Sequence, residues 1–172
     1  SVLSLVALSS LIVAMARPRT VDISNKTKTT KGIDIVMAID VSGSMLAKDL
    51  KPDRMQALKK LASDFVEERP NDRIGLVVYA SEAYTKTPVT SDKAVILDAI
   101  RSIKYDNVLV DGTGIGMGLA TAVNRLKDSK AKSKVVILMT DGVNNAGFIE
   151  PDTASDIAKQ YGIKVYTIGI GT

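Results

Sequence analysis

The sequence predicts an α/β fold with a doubly wound, mostly parallel sheet that has helices on both faces, preceded by a membrane helix. Three observations support this fold class. Short apolar runs, typical of buried strands, alternate with segments of helical periodicity. The chain has 172 residues, enough for one domain with a substantial core. The segment before Arg17 carries no charged residue, which sets it apart from the rest of the chain.

The first segment, Val2–Ala16, is apolar except for three serines and is followed by Arg17-Pro18-Arg19. Fifteen helical residues span about 22 Å, less than the roughly 30 Å of a bilayer core. Because the chain begins at Ser1 rather than at a methionine, we expect residues 1–17 to be a transmembrane helix whose start is missing. A signal peptide is the alternative, since Ala14-Met15-Ala16 has the small-x-small form of a cleavage site. A buried globular helix is the third interpretation.

Residues 18–32 are predicted to be a polar linker, because they are rich in threonine and lysine and lack helical periodicity. The domain itself is expected to occupy residues 33–172. Since the chain stops where a predicted strand ends, we expect a C-terminal element, such as a final helix, to follow Thr172.

Strands and helices alternate along the predicted domain. Apolar runs predict buried strands at Ile33–Ile39, Arg73–Ala80, Lys134–Met139 and Lys164–Ile170. Apolar residues at helical spacing predict helices at Pro52–Glu68, Asp92–Ile103, Ile115–Leu126 and Asp152–Tyr161. The polar, alternating stretch Ala83–Pro88 ends in a proline, which suits an edge strand. Repeated strand–helix units of this kind indicate a parallel sheet covered by helices on both faces.

The composition excludes several kinds of chemistry. Without cysteine, the chain forms no disulfide, zinc–thiolate site or cysteine nucleophile. Without histidine, it has no Ser-His-Asp triad, and the commonest general base is missing. The net charge of +4 is mild, and aromatic residues make up only 4% of the chain, so a stacking surface for single-stranded nucleic acid is not expected. Most classes of enzyme are therefore disfavoured.

The most informative motif directly follows the first predicted strand. Asp40 ends the apolar run, and Ser42 and Ser44 then place two hydroxyls two residues apart. A ligand set of oxygens, without sulfur or imidazole, suits hard divalent cations such as Mg²⁺. Ligands of doubly wound sheets bind at the carboxyl ends of the strands, where the strand order reverses. The motif therefore predicts a cation site at this end of the sheet.

Two further loops offer side chains of the same kind. Thr140-Asp141-Gly142 follows the strand Lys134–Met139, and Asp111-Gly112-Thr113-Gly114 precedes the helix Ile115–Leu126. Two carboxylates close together repel each other unless a cation lies between them. The predicted metal ligands are the acids and hydroxyls of these three loops: Asp40, Ser42, Ser44, Thr113 and Asp141.

These five residues, in their local sequences, resemble the metal-ion-dependent adhesion site of von Willebrand factor type A domains. The resemblance extends from Gly32 to the end of the chain. It implies that the two serines and the threonine bind Mg²⁺, with Mn²⁺ or Ca²⁺ as alternatives, and that the two aspartates bind it directly or through water. It also implies that a carboxylate from a partner protein completes the coordination. The implied function is metal-dependent protein binding and not catalysis.

Longer segments resemble, more specifically, the bacterial BatA membrane proteins of the Bacteroides aerotolerance operon type. These segments are Gly32–Val36, Lys51–Arg54, Arg69–Gly75 and Asp141–Gly147. The resemblance implies a bacterial inner-membrane protein with its domain on the periplasmic side, acting in assembly or stress tolerance. It also implies partners among other Bat-type membrane proteins, tetratricopeptide proteins and a MoxR-type AAA+ ATPase system, with no role for nucleic acid.

Two other functions remain open for this chain. A strand-terminal aspartate with Mg²⁺ could be the nucleophile of a haloacid-dehalogenase-like phosphatase, but the second acid of that motif is replaced here by Ser42. A structural scaffold with a non-functional metal site is the other alternative. The glycines at 112–118 fit neither a dinucleotide fingerprint nor a P-loop, so we expect them in turns and helix packing. Asp111, Asn144 and Asn145 could either support the site or shape turns.

Overall fold

The computed structural model describes residues 1–15, 32–105 and 109–171, which fall into two separate units. The first unit contains one described helix, α1 (Val2–Met15), which is apolar and has no buried residue. No helix within the described ranges has the length and apolar character needed to cross a membrane. The predicted linker, residues 18–32, lies outside the described residues except for Gly32.

The second unit is built on one five-stranded sheet. Its strands are β1 (Asp34–Asp40), β2 (Arg73–Tyr79), β3 (Ala83–Thr90), β4 (Lys134–Thr140) and β5 (Ile163–Gly169). The order across the sheet is β3-β2-β1-β4-β5, and every neighbouring pair is parallel except β2 and β3. β1 is buried along its whole length, because helices cover the central strands on both faces. The predicted doubly wound, mostly parallel sheet is confirmed, with β3 at its edge.

Four helices and one short 3₁₀ turn connect the strands of this unit. The turn spans Gly43–Leu46, and the helices are α2 (Arg54–Glu67), α3 (Lys93–Arg101), α4 (Ile115–Leu126) and α5 (Pro151–Gln160). The carboxylates of Asp53 and Asp92 cap α2 and α3, each accepting a hydrogen bond from a backbone N–H of the first turn. The predicted bounds of these strands and helices agree with the structure within two residues. The 3₁₀ turn was not predicted from the sequence.

Alternate residues of the central strands enter two hydrophobic cores. One core lies between the sheet and α2 and α3, and the other lies between the sheet and α4 and α5. Helix α4 approaches the sheet closely, because a Cβ on Gly118 would lie 2.5 Å from Cδ1 of Tyr79. A Cβ on Gly116 would lie 1.8 Å from the carbonyl oxygen of Ile149. The prediction that these glycines serve helix packing is confirmed.

Candidate metal centre

The candidate site lies at the carboxyl ends of β1 and β4, which are neighbours in the sheet. The chain leaves β1 towards α2 on one face and leaves β4 towards α5 on the opposite face. Connections that diverge in this way open a crevice between the two strand ends. Asp40 closes β1, and Asp141 follows the last residue of β4, so both predicted acids lie at this crevice.

Asp40 is completely buried, and both of its carboxylate oxygens are hydrogen bonded. Oδ1 accepts from the backbone N–H of Ser42 at 2.9 Å, and Oδ2 accepts from the hydroxyl of Thr140 at 2.9 Å. Burial raises the pKa of the Asp40 carboxyl above its ordinary value. The hydrogen bonds from Ser42 and Thr140 lower this pKa, while the negative charge of Asp141 raises it further. A cation beside Asp40 would stabilise the charged carboxylate.

The two predicted serines connect the β1 loop to Asp141. The hydroxyls of Ser42 and Ser44 are 3.0 Å apart, and Ser44 Oγ donates to Oδ1 of Asp141 at 2.8 Å. Their loop is held as a 3₁₀ turn by the bond from Met45 N to Ser42 O at 3.0 Å, and the Met45 side chain is buried below it. The backbone N–H of Gly43 donates to Asp111 Oδ1 at 3.1 Å. Four of the five predicted ligands are therefore joined by hydrogen bonds within one strand-end cluster.

Thr113, the fifth predicted ligand, is buried at the same end of the sheet. Its hydroxyl oxygen lies 3.8 Å from the point that a Cβ on Gly142 would occupy, next to Asp141 in the chain. Its backbone N–H donates to the side chain of Asn145 at 2.8 Å, and its carbonyl accepts from Asn145 N at 3.0 Å. The side chain of Asn144 accepts from Ile115 N at 2.8 Å, at the start of α4. The two asparagines thus hold the Thr113 loop to the loop that follows β4.

The structure adds Arg54 and Asp49, which the sequence had not indicated as part of the site, and it adds a contact of Thr140 that was not predicted. Thr140 bonds to Asp40 as described above, and its hydroxyl also accepts from Gly142 N at 3.1 Å. Arg54 donates to Oδ2 of Asp141 at 2.9 Å, and its Nε and Nη2 each donate to Asp49 at 2.8 Å. The two acids hold the pKa of the Arg54 guanidinium above its usual value, mainly because it donates hydrogen bonds to Asp49 and then to Asp141. Thr140 lies in the motif Thr140-Asp141-Gly142, and Arg54 ends the segment Lys51–Arg54, but no sequence pattern predicts the contacts of either residue.

The donor set fits a hard divalent cation. All five predicted side chains present oxygen, two of them as carboxylates and three as neutral hydroxyls. Nowhere in the described ranges do three or more acidic side chains gather into a possible metal cluster, so hydroxyls would have to supply much of any coordination here. Mg²⁺ takes six oxygens, and the set leaves positions for water or for an outside ligand.

Comparison with known proteins gives a consistent family assignment. Residues 34–172 match the family model described as von Willebrand factor type A domain. An uncharacterized protein of Borreliella burgdorferi is 34% identical over 163 residues, which is 94% of this chain and 47% of that protein. The chain spans about half the length of the curated relatives it matches.

Solved structures with the same fold include two proteins from Bacteroides. An aerotolerance-related membrane protein from Bacteroides fragilis superposes with a TM-score of 0.75 and 31% identity, covering 81% of this chain and 68% of that one. The conserved hypothetical protein BatB from Bacteroides thetaiotaomicron superposes with a TM-score of 0.71 and 33% identity, covering 80% of this chain and 66% of that one. Proximal thread matrix protein 1 from the mussel byssus, with zinc in its adhesion-site motif, superposes with a TM-score of 0.71 and 29% identity. The match covers 82% of this chain and 36% of that one.

Proposed function

Because this chain belongs to the von Willebrand factor type A domain family, we propose that its second unit is a divalent-metal-dependent protein-binding module. In this proposal the metal ligands are the five oxygen-bearing residues of the strand-end cluster: Asp40, Ser42, Ser44, Thr113 and Asp141. A divalent metal bound there would supply a positive charge that attracts a carboxylate. The five side chains would hold it at the carboxyl ends of β1 and β4.

The observation that supports this function most strongly is the hydrogen bond between Ser44 Oγ and Asp141 Oδ1 at 2.8 Å. The bond joins loops from two different strands and brings the acid of one loop to the hydroxyls of the other. Asp40 lies buried below them with a raised pKa, an arrangement that costs energy without a neutralising cation. A plain turn would not need a buried acid at this position.

We take Mg²⁺ as the ion, with Mn²⁺ or Ca²⁺ as alternatives. The mussel protein with a related domain holds zinc in its adhesion-site motif, so divalent binding is compatible with this architecture. The present site offers only oxygen ligands and lacks the sulfur and imidazole that favour zinc. A ligand set made only of carboxylate and hydroxyl oxygens matches the preference of Mg²⁺.

The proposed partner is a protein that presents an aspartate or glutamate carboxylate to the metal. Two exposed apolar side chains adjoin the site in sequence: Val110 precedes Asp111 with 70% of its surface exposed, and Val143 follows Gly142 with 82% exposed. We expect these side chains to contact a bound partner, since apolar surface is buried in the core of protein interfaces. The partner's carboxylate would therefore be flanked by apolar residues.

We further propose that the protein is anchored in a bacterial inner membrane, with the module on the periplasmic side. Helix α1 is apolar and its residues are exposed, and the Bacteroides fragilis relative is described as a membrane protein. Following the Bat-type resemblance, the candidate partners are other Bat-type membrane proteins, tetratricopeptide proteins and a MoxR-type ATPase system, in assembly or stress tolerance. Phosphoryl transfer gains no support from the site, since Ser42 bonds to Ser44 where a phosphatase would need a general acid.

Metal binding is tested by thermal unfolding of the whole 172-residue chain in mild detergent. Mg²⁺ or Mn²⁺ should raise the melting temperature of the wild type and leave that of Asp40→Ala unchanged. Asp98→Ala removes an exposed acid on α3 that pairs with Arg101, and this control should respond like the wild type. An equal metal response in Asp40→Ala would contradict the assignment.

Partner binding is tested by capture from solubilised bacterial membranes on immobilised chain. The captured protein should appear with Mg²⁺, disappear with chelator, and be lost for Asp40→Ala but not for Asp98→Ala. Thr113→Ala should weaken capture while the domain stays folded, as judged by circular dichroism. Capture that is insensitive to chelator and to both site variants would count against metal-dependent binding. Phosphatase turnover lost in Asp40→Asn would support the enzymatic alternative.

A further inference from the structure

Among the residues that the structure describes, Arg54 is the one cation that forms a salt bridge to a predicted metal ligand. It is the first residue of α2, and its side chain contacts Asp141 of the strand-end cluster. One guanidinium nitrogen donates to Oδ2 of Asp141, while Nε and the other nitrogen bind both oxygens of Asp49. The Asp141 side chain is completely buried, and the Arg54 side chain is 18% exposed. This is a shielded ion pair and not a solvated surface contact.

The two predicted acidic ligands differ in the hydrogen-bond donors that bind their carboxylate oxygens. Both oxygens of Asp40 accept hydrogen bonds from neutral donors, a backbone N–H and a hydroxyl. In Asp141, Oδ1 accepts from the Ser44 hydroxyl, and Oδ2 accepts from the positively charged guanidinium of Arg54. A divalent ion at the cluster would meet a carboxylate whose charge is already offset, and the guanidinium would repel the ion itself. Arg54 and the metal therefore compete for the same negative charge.

The surroundings of Arg54 hold it in place and also leave it space. Its backbone N–H donates to the carbonyl of Ala47 at 2.9 Å, which fixes the start of α2. The backbone of Gly171 lies against the guanidinium, since a Cβ there would be 3.1 Å from Cζ. On another side, Arg54 and Asp141 line an open cavity of about 520 Å³. The guanidinium therefore borders a cavity that Asp141 also lines.

We infer that Arg54 is a built-in competitor of the metal, which keeps the affinity of the site for a free divalent ion low. This inference rests on the proposed function. Its consequence is that the ion is held firmly only when a partner's carboxylate adds a further negative charge to the coordination. Metal binding and partner binding then strengthen each other, as linkage requires. Arg54 acts through Asp141 and is a positioning residue that need not touch the metal.

The inference is tested by titrating the whole chain in detergent with Mg²⁺ alone, using isothermal calorimetry. Arg54→Gln removes the charge and should bind Mg²⁺ about tenfold more tightly than the wild type. Its metal-free melting temperature should fall, because Asp141 loses its partner, while the rise on adding Mg²⁺ should grow. Arg54→Met, a second neutral variant, should show the same gain in affinity. A role in folding alone would not produce tighter metal binding.

Two controls separate the possible outcomes. Arg69→Gln makes the same charge change beyond the other end of α2, where Arg69 pairs with Asp72 and lies over the Phe65 ring, and it should leave Mg²⁺ affinity unchanged. Asp40→Ala reports on the metal site itself. If the wild type binds Mg²⁺ and Asp40→Ala does not, but neither neutral Arg54 variant binds more tightly, the inference fails and the proposed function stands. Absence of Mg²⁺ binding in the wild type and in both Arg54 variants would overturn both.

Discussion

The β1 side and the β4 side of the metal centre each contribute one acid, but they hold it by different means. On the β1 side, Asp40 is completely buried, and its donors among the described residues are neutral groups of Ser42 and Thr140. On the β4 side, Asp141 is bound by the Ser44 hydroxyl and by the charged guanidinium of Arg54. The first arrangement leaves a negative charge largely uncompensated, while the second offsets it.

This difference indicates a division of roles between the two acids. Asp40 supplies the charge that an incoming cation would neutralise, because the donors that its two oxygens have among the described residues are a backbone N–H and a hydroxyl. Asp141 supplies a charge whose availability depends on Arg54, which belongs to another element. The four predictions below test this division, from the largest expected effect to the smallest.

The sharpest test compares Asp40→Asn with Asp141→Asn, because both variants remove one charge and keep the side-chain shape. Cation affinity follows the number of charged ligands, so Asp40→Asn should lower Mg²⁺ affinity by at least about a hundredfold. Asp141→Asn should lower it by about tenfold, since the lost charge was already offset by Arg54. Calorimetric titration of both variants measures the difference. Equal losses would mean that the two sides do not differ in role.

Thr140→Val tests how much the β1 side depends on its neutral donors. The variant removes the hydroxyl that donates to Asp40, leaving one buried carboxylate oxygen without its partner. The free energy of unfolding should fall by about 1–3 kcal/mol. Mg²⁺ affinity should fall by about tenfold, as for other residues that orient a ligand. Thr153→Val, the same change at an exposed position of α5, is the control and should alter neither quantity.

Asn145→Ala tests the connection between Thr113 and the β4 side. It removes the acceptor for the backbone N–H of Thr113, so the free energy of unfolding should fall by about 1 kcal/mol. Mg²⁺ affinity should fall a few-fold, because Thr113 would no longer be held beside Gly142. Chemical denaturation and calorimetry measure the two effects. The control is Asn124→Ala on the exposed face of α4. An equal loss of stability and of Mg²⁺ affinity in this control would show that Asn145 has no special role.

Tyr79→Phe should separate the stability of the sheet from the function of the site. The buried Tyr79 hydroxyl donates to the carbonyl of Met139 at 3.1 Å, linking β2 to β4 below the two acids. Burial raises the pKa of this hydroxyl far above its ordinary value, so it stays protonated and able to donate at any physiological pH. The variant should lose about 1 kcal/mol of stability and bind Mg²⁺ as the wild type does. Weakened Mg²⁺ binding would show that strand spacing controls the site.

The fold and the ligand cluster were largely predictable from the sequence, because both depend on local patterns. β1 and β4 appear as apolar runs that end at or directly before an acid, and parallel strands bring such ends together. The contacts of Arg54 and Thr140 were not predictable, since each joins residues that are 87 or 100 positions apart. Asp111 had two open interpretations, and the structure favours support of the site, because its carboxylate accepts from Gly43 N.

The same long separations determine when the metal centre can form during folding. The bonds from Ser44 and Arg54 to Asp141 and from Thr140 to Asp40 all close loops of more than eighty residues. We expect such loops to close only after β1 and β4 have paired, because closing a long loop costs chain entropy that local contacts do not repay. An unfolded chain offers the ion no preformed site. A bound divalent ion should therefore slow unfolding and leave the rate of folding almost unchanged.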